Sequence, residues 1–158
     1  MTERHMVTLT VNGVRRTAAV TAGLSLLDMV RDIFDLTGSK ECCAEGECGA
    51  CTVILDHQPV NACLVLAVET DGSEVVTIEG VGAAGPTRLQ RSFLETGAVQ
   101  CGFCIPGMVV AAAALLERTP TPTLEEVREG LSGNLCRCGG YSRICAAVLQ
   151  SAQGSTHA

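Results

Sequence analysis

The sequence predicts an α+β chain in two parts: a small sheet holding one helix over residues 1–80, then an all-helical unit over residues 81–158. Three observations lead there. MVTLTVNGVRRTAAV alternates polar and apolar residues on either side of Asn12-Gly13, a strong short-range hairpin signal. SLLDMVRDIFDLTG then places apolar residues at helical spacing, at 26, 27, 30, 33 and 34. Beyond the Gly-, Ala- and Pro-rich stretch EGVGAAGPT (79–87), which reads as a linker, no β pattern returns.

Taken in order, the hairpin of residues 6–20 leads into a helix with Ser25 as N-cap and Gly38 as its stop. A cysteine-rich loop follows. TVILD and VNACLVLAV flank DHQP as a second pair of strands, and EVVTI (74–78) is a fifth. In the second part, TRLQRSFLETG is a helix stopped by Gly97. PGMVVAAAALLER is another, with Pro106 in its first turn and no charge before Glu117, so it should be buried nearly all round. PTPT breaks the chain at 120–123. LEEVREGLSG carries the capping-box spacing Thr123 to Glu126, and YSRICAAVLQSA is the fourth helix. No internal repeat is evident.

Composition narrows the function. The 158 residues are 47% hydrophobic but 3% aromatic, so two thin aliphatic cores are expected, a case in which bound metal adds stability. A net charge of −6 and the absence of a basic run argue against nucleic acid. A mean hydropathy of +0.31 leaves apolar surface for a subunit interface, with a buried core as the plainer account. The longest apolar run, MVVAAAALL (108–116), falls well short of a membrane span. The N-terminus lacks an apolar signal core, and Arg15-Arg16 is followed by TAAVTAG, so a cytoplasmic location is expected. Ten cysteines in a reducing compartment point to metal and not to disulfides.

The cysteines fall into two sets. Cys43, Cys48, Cys51 and Cys63 have the spacing C-x4-C-x2-C with a distant fourth, the plant-type [2Fe–2S] pattern. Choosing Cys42 would give C-x5-C, so Cys43 is the expected ligand. Gly46 and Gly49 suit a loop whose backbone amides approach sulfur. Zinc sites more often use paired C-x2-C knuckles. In the second part, Cys101, Cys104, Cys136 and Cys138 form a C-x2-C and a C-x-C pair, each at a predicted helix end. Four thiolates at that spacing suit either zinc or [2Fe–2S]. Cys145 reads as core. His5, His57 and His157 stand apart from any carboxylate or serine partner, so no catalytic dyad or triad is visible.

KECCAEGECGACTV, NACLVLA, VQCGFCIPGM and SGNLCRCGGY together resemble the signature stretches of the small iron–sulfur subunit of molybdenum hydroxylases, the xanthine dehydrogenase and aldehyde oxidoreductase family. The resemblance spans residues 5–150. It implies a ferredoxin-like β-grasp domain followed by a four-helix bundle, with one [2Fe–2S] cluster in each. It further implies that Gln100 and the sulfur of Cys138 contact a molybdopterin held by a large partner subunit, and that electrons pass through the helical-domain cluster, then the first-domain cluster, to FAD on a medium subunit. A dimer of heterotrimers is the common family assembly. Three departures stand out: the family usually has Gly at Cys42 and Thr at Ile105 and Gly139. The latter two remove a hydroxyl near sulfur, which should shift cluster potential without removing a ligand.

The expected function is therefore electron transfer within an oxidoreductase, with the substrate chemistry on another subunit. The chain carries no Gly-rich dinucleotide fingerprint in a βαβ setting. The expected substrate is a nitrogen heterocycle such as a purine, nicotinate or an alkaloid. Aldehydes, carbon monoxide and an aryl thioester are the alternatives within the family. A free-standing ferredoxin and a zinc-stabilised interaction protein are the alternatives outside it.

Overall fold

Asn12 and Gly13 both take left-handed backbone angles (φ 51° and 76°), so β1 (Arg4–Val11) folds directly back on β2 (Val14–Thr21). A computed structural model describes residues 3–153; His157 and the outer ends of the two expected parts, residues 1–2 and 154–158, lie outside it. The β1–β2 pair is antiparallel from Arg4 opposite Thr21 to Val11 opposite Val14. Its period-two pattern buries Val7, Leu9, Val11, Ala18 and Val20 on one face. A second hairpin, β3 (Thr52–Leu55) and β4 (Gln58–Asn61), turns through Asp56 and His57, both again left-handed. With β5 (Glu74–Val76) the sheet order is β2-β1-β5-β3-β4, mixed because β5 runs parallel to β1.

The sheet grips the helical segment that starts at α1 (Leu26–Asp28), where Leu26, Leu27, Met29 and Val30 are all buried. Ser25 caps it, with Asp28 closing the capping box. The helix is shorter than its apolar spacing predicts. It passes into a π-helical turn at Met29–Ile33 and ends well before Gly38. Phe34 N–H reaches back to Met29 O and Leu36 N–H to Val30 O, while Asp35 turns left-handed (φ 58°). Arg16 accounts for the early stop. Its guanidinium donates to Phe34 O at 3.1 Å and lies over the Phe34 ring, 5.3 Å from the centroid.

The strand expected across VNACLVLAV also ends early. β4 stops at Asn61, whose side-chain amide donates to Gly46 O at 2.6 Å. The chain turns there and residues 62–67 bond to the start of the helix instead, through Leu27 N–H to Ala62 O, Leu26 N–H to Val65 O and Ala67 N–H to Leu24 O. Cys63 therefore lies in a turn and not on a strand.

The second part is helical as expected: α2 (Arg88–Glu95), α3 (Ile105–Arg118), α4 (Leu124–Gly130) and α5 (Tyr141–Ala152). Capping boxes open α2 (Thr87 with Gln90) and α4 (Thr123 with Glu126), and Gly97 takes the left-handed angle that stops α2. Thr123→Ala should cost about 1 kcal/mol by removing that cap, read as a lower unfolding midpoint, while Thr123→Ser should restore it. α3 is buried nearly all round because it packs on α2 and α4 on one side and on β3 and β4 on the other. The apolar residues form two cores, one from Val7 to Val75 and one from Leu89 to Val148. Between them, Glu79 accepts from Gly38 N–H (2.7 Å) and Thr77 Oγ1 (2.5 Å), tying the linker to the first part.

Candidate metal centres

The loop from Cys42 to Cys51 carries three left-handed residues, Ala44, Gly46 and Gly49. At Gly49 a side chain has no room, and at Gly46 one would have to displace Leu64. A Cβ on Gly46 would lie 2.3 Å from Leu64, and one on Gly49 would lie 2.3 Å from Gly133 O. The loop folds tightly enough to turn its amides onto sulfur. The N–H groups of Glu45, Cys48 and Glu47 face Cys43, and that of Ala50 faces Cys48.

The four expected thiols of the first set meet two by two. Cys43 and Cys48 hydrogen-bond through sulfur, and Cys51 and Cys63 lie 3.4 Å apart. The Glu45 amide, then the Cys48 thiol, lowers the Cys43 pKa to about 7. Burial, followed by the neighbouring Cys63, pushes Cys51 up to about 11. Cys42 is exposed beside them, and the amides turn to its neighbour.

The second set pairs in the same way: Cys101 with Cys138, and Cys104 with Cys136. These thiols come from the loops that lead into α3 and α5, which bring the two motifs to one place. Cys104 is the N-cap of α3, and burial followed by Cys136 pushes it up to about 12. The Phe103 amide, then Cys138, holds Cys101 down. At Cys136 burial opposes ionisation, but the Gly140 amide, the Cys104 thiol and the amides of Cys138 and Gly139 together hold its pKa below the usual thiol value. Cys101 and Cys138 are exposed, Cys136 is buried, and Phe103, Leu135 and Tyr141 form half-exposed apolar neighbours. Gln100 is exposed with its amide over Gly140, 3.3 Å from where a Cβ would stand. Gly139 is left-handed (φ 73°) with open space around it, so glycine relieves a backbone strain that threonine would carry. Ile105 opens α3 and packs at the edge of the second core, as does Cys145, whose thiol burial pushes up.

Among the described residues, no three His, Cys, Asp or Glu side chains converge around a single metal ion. Thiols gathered as adjoining pairs, with N–H groups facing the sulfurs, are the donor set of a two-iron core, in which each iron takes two thiolates.

The two sites are joined directly. Leu135 N–H donates to Cys48 O at 2.9 Å, and the Asn134 side chain donates to Gly49 O at 2.8 Å and Thr52 Oγ1 at 3.1 Å. The cysteine spacing gave no role to Asn134 or to Gly107. The available signal was Gly107 itself, since glycine inside a helix costs about 1 kcal/mol and marks a close approach. A Cβ there would lie 2.3 Å from Gly49 O.

Fold and sites define a two-domain iron–sulfur protein. Two family models match, one described as a 2Fe-2S iron-sulfur cluster binding domain over residues 9–75 and one as a [2Fe-2S] binding domain over residues 77–149. The chain is 52% identical to the nicotinate dehydrogenase small FeS subunit of Eubacterium barkeri, over 90% of this chain and 91% of that one. It superposes on quinoline 2-oxidoreductase from Pseudomonas putida 86 with a TM-score of 0.91 at 39% identity, covering 97% of this chain and 96% of the matched chain. It also superposes on the aldehyde oxidoreductase of Desulfovibrio desulfuricans ATCC 27774, with a TM-score of 0.92 at 39% identity, covering 96% of this chain but 17% of that longer one. The chain belongs to the small iron–sulfur subunits of the molybdenum hydroxylases, the xanthine dehydrogenase and aldehyde oxidoreductase family, with two [2Fe–2S] clusters and the molybdopterin on a partner subunit. It is part of an oxidoreductase. No helix among the described residues is long and apolar enough to cross a membrane.

Proposed function

We propose that this chain relays electrons singly from a molybdopterin on a large subunit to FAD on a medium subunit, passing first through the helical-domain cluster and then through the first-domain cluster. Cys101, Cys104, Cys136 and Cys138 hold the former; Cys43, Cys48, Cys51 and Cys63 hold the latter. The observation that carries this reading is the hydrogen bond from Leu135 N–H to Cys48 O. It links the residue before one ligand, Cys136, to another ligand, Cys48, and gives the two sites a short bonded connection. The domains divide near residue 80, between the two apolar cores.

The exposed face of the helical domain supports the order. Cys101 and Cys138 lie at the surface among Phe103, Leu135 and Tyr141, as a side that a partner covers would be built. Gln100 and the Cys138 sulfur contact the pterin there, the amide both donating and accepting. Leu64 and Leu66, exposed beside the first cluster loop, suit the flavin-bearing side. The complex works in the cytoplasm, where cysteines stay out of disulfides, as a dimer of heterotrimers.

The substrate is a nitrogen heterocycle. Nicotinate and quinoline are named for two of the proteins this chain resembles over nearly its whole length. The test is anaerobic addition of nicotinate, quinoline, a purine or an aldehyde to the purified complex, followed by the visible bleaching of the clusters. Bleaching by a heterocycle is expected, and bleaching by aldehydes alone contradicts the substrate class. Gln100→Ala should slow that bleaching about 10-fold with both clusters retained, and unchanged kinetics would remove its role.

A further inference from the structure

Asn134 sits two residues before a helical-domain ligand, yet its side chain addresses the other cluster. It is buried (6% exposed), and its Nδ2 donates to Gly49 O at 2.8 Å. That oxygen also accepts from Thr52 N–H at 3.1 Å and Thr52 Oγ1 at 2.7 Å. Gly49 O belongs to the peptide that ends in the Ala50 N–H, and the Ala50 N–H faces the sulfur of Cys48. Donors on the carbonyl of a peptide polarise it and strengthen the hydrogen bond its N–H makes. Hydrogen bonds to ligand sulfur stabilise the more negative, reduced cluster and so raise its potential. The contact also depends on close docking. Gly107 of α3 has no Cβ, and one would stand 2.3 Å from Gly49 O and 3.2 Å from Asn134 Nδ2.

We infer that Asn134 is a positioning residue for electron transfer, which raises the potential of the first-domain cluster by acting through the Gly49–Ala50 peptide on Cys48 when the helical domain is docked. This rests on the ligand assignment and relay proposed above. Asn134 makes the electron acceptor of the pair more oxidising and favours the forward step from the helical-domain cluster. An asparagine that merely held the domains together would move neither potential selectively.

The experiment is a redox titration of the intact complex, followed by electron paramagnetic resonance, for the unaltered chain, Asn134→Ala and Gly107→Ala. Cys104→Ser identifies which signal belongs to the helical domain. In Asn134→Ala the first-domain cluster should move to more negative potential, shifting electron sharing between the clusters about tenfold, or about 59 mV for one electron, with the helical-domain cluster unmoved. Gly107→Ala should move the same cluster in the same direction by wedging the carbonyl away from Asn134, although alanine is the better helix residue. If Asn134→Ala fails to assemble its clusters, Gly107→Ala decides. An unmoved first-domain potential, or a shift of the helical-domain cluster in its place, overturns the inference. An unaltered chain without two one-electron centres overturns the relay itself, before any variant is compared.

Discussion

Cys104→Ser should abolish the helical-domain cluster, leave the first-domain cluster intact and reduce substrate turnover at least about 100-fold while molybdenum stays bound. Cys104 is the N-cap of α3 and pairs with Cys136, and its burial pushes the free thiol up to about 12. A thiolate is the ligand that iron takes, and a serine hydroxyl in its place is far harder to ionise and gives a poorer ligand. Reduced-cluster resonance should then show one signal where the unaltered protein shows two. Two signals at full intensity would contradict the assignment.

The second large effect separates two adjacent cysteines. Cys43→Ser should remove the first-domain cluster and stop electron flow through the chain, with the helical-domain cluster retained. Cys42→Gly should keep both. The amides of Glu45, Cys48 and Glu47 turn onto Cys43, which pairs with Cys48, whereas Cys42 is exposed. Iron content and cluster signals on the two variants are sufficient. Loss of a cluster in Cys42→Gly would mean that the ligand is the other neighbour.

Local signals in the chain were legible in proportion to how local their causes are. Asn12-Gly13, Ser25 as N-cap, Thr123 with Glu126, and Gly97 each act within a few residues, and each stands where the pattern places it. The failures come from long-range contacts. The first helix ends at Ile33 because Arg16, from another strand, takes the Phe34 carbonyl and ring. β4 ends at Asn61 because its side chain is drawn to Gly46, which also turns Cys63 toward Cys51. The gathering of the cysteines was legible because their spacing encodes loop geometry directly, and the thiols of both sets do come together in pairs. Spacing alone left zinc and iron open in the helical domain; the pairing of sulfurs and the matching [2Fe-2S] family model bear on that choice. The contact of Asn134 with Gly49 was not legible, since it joins residues 85 apart and depends on how α3 lies against β3.

The most direct test of the central claim is native purification through a tag on this chain, with iron, molybdenum and zinc counted and the co-purifying proteins identified by mass. About four irons per chain are expected, from two clusters of two, together with molybdenum and a large partner. Iron without molybdenum or a partner, or zinc in place of iron, would contradict that claim.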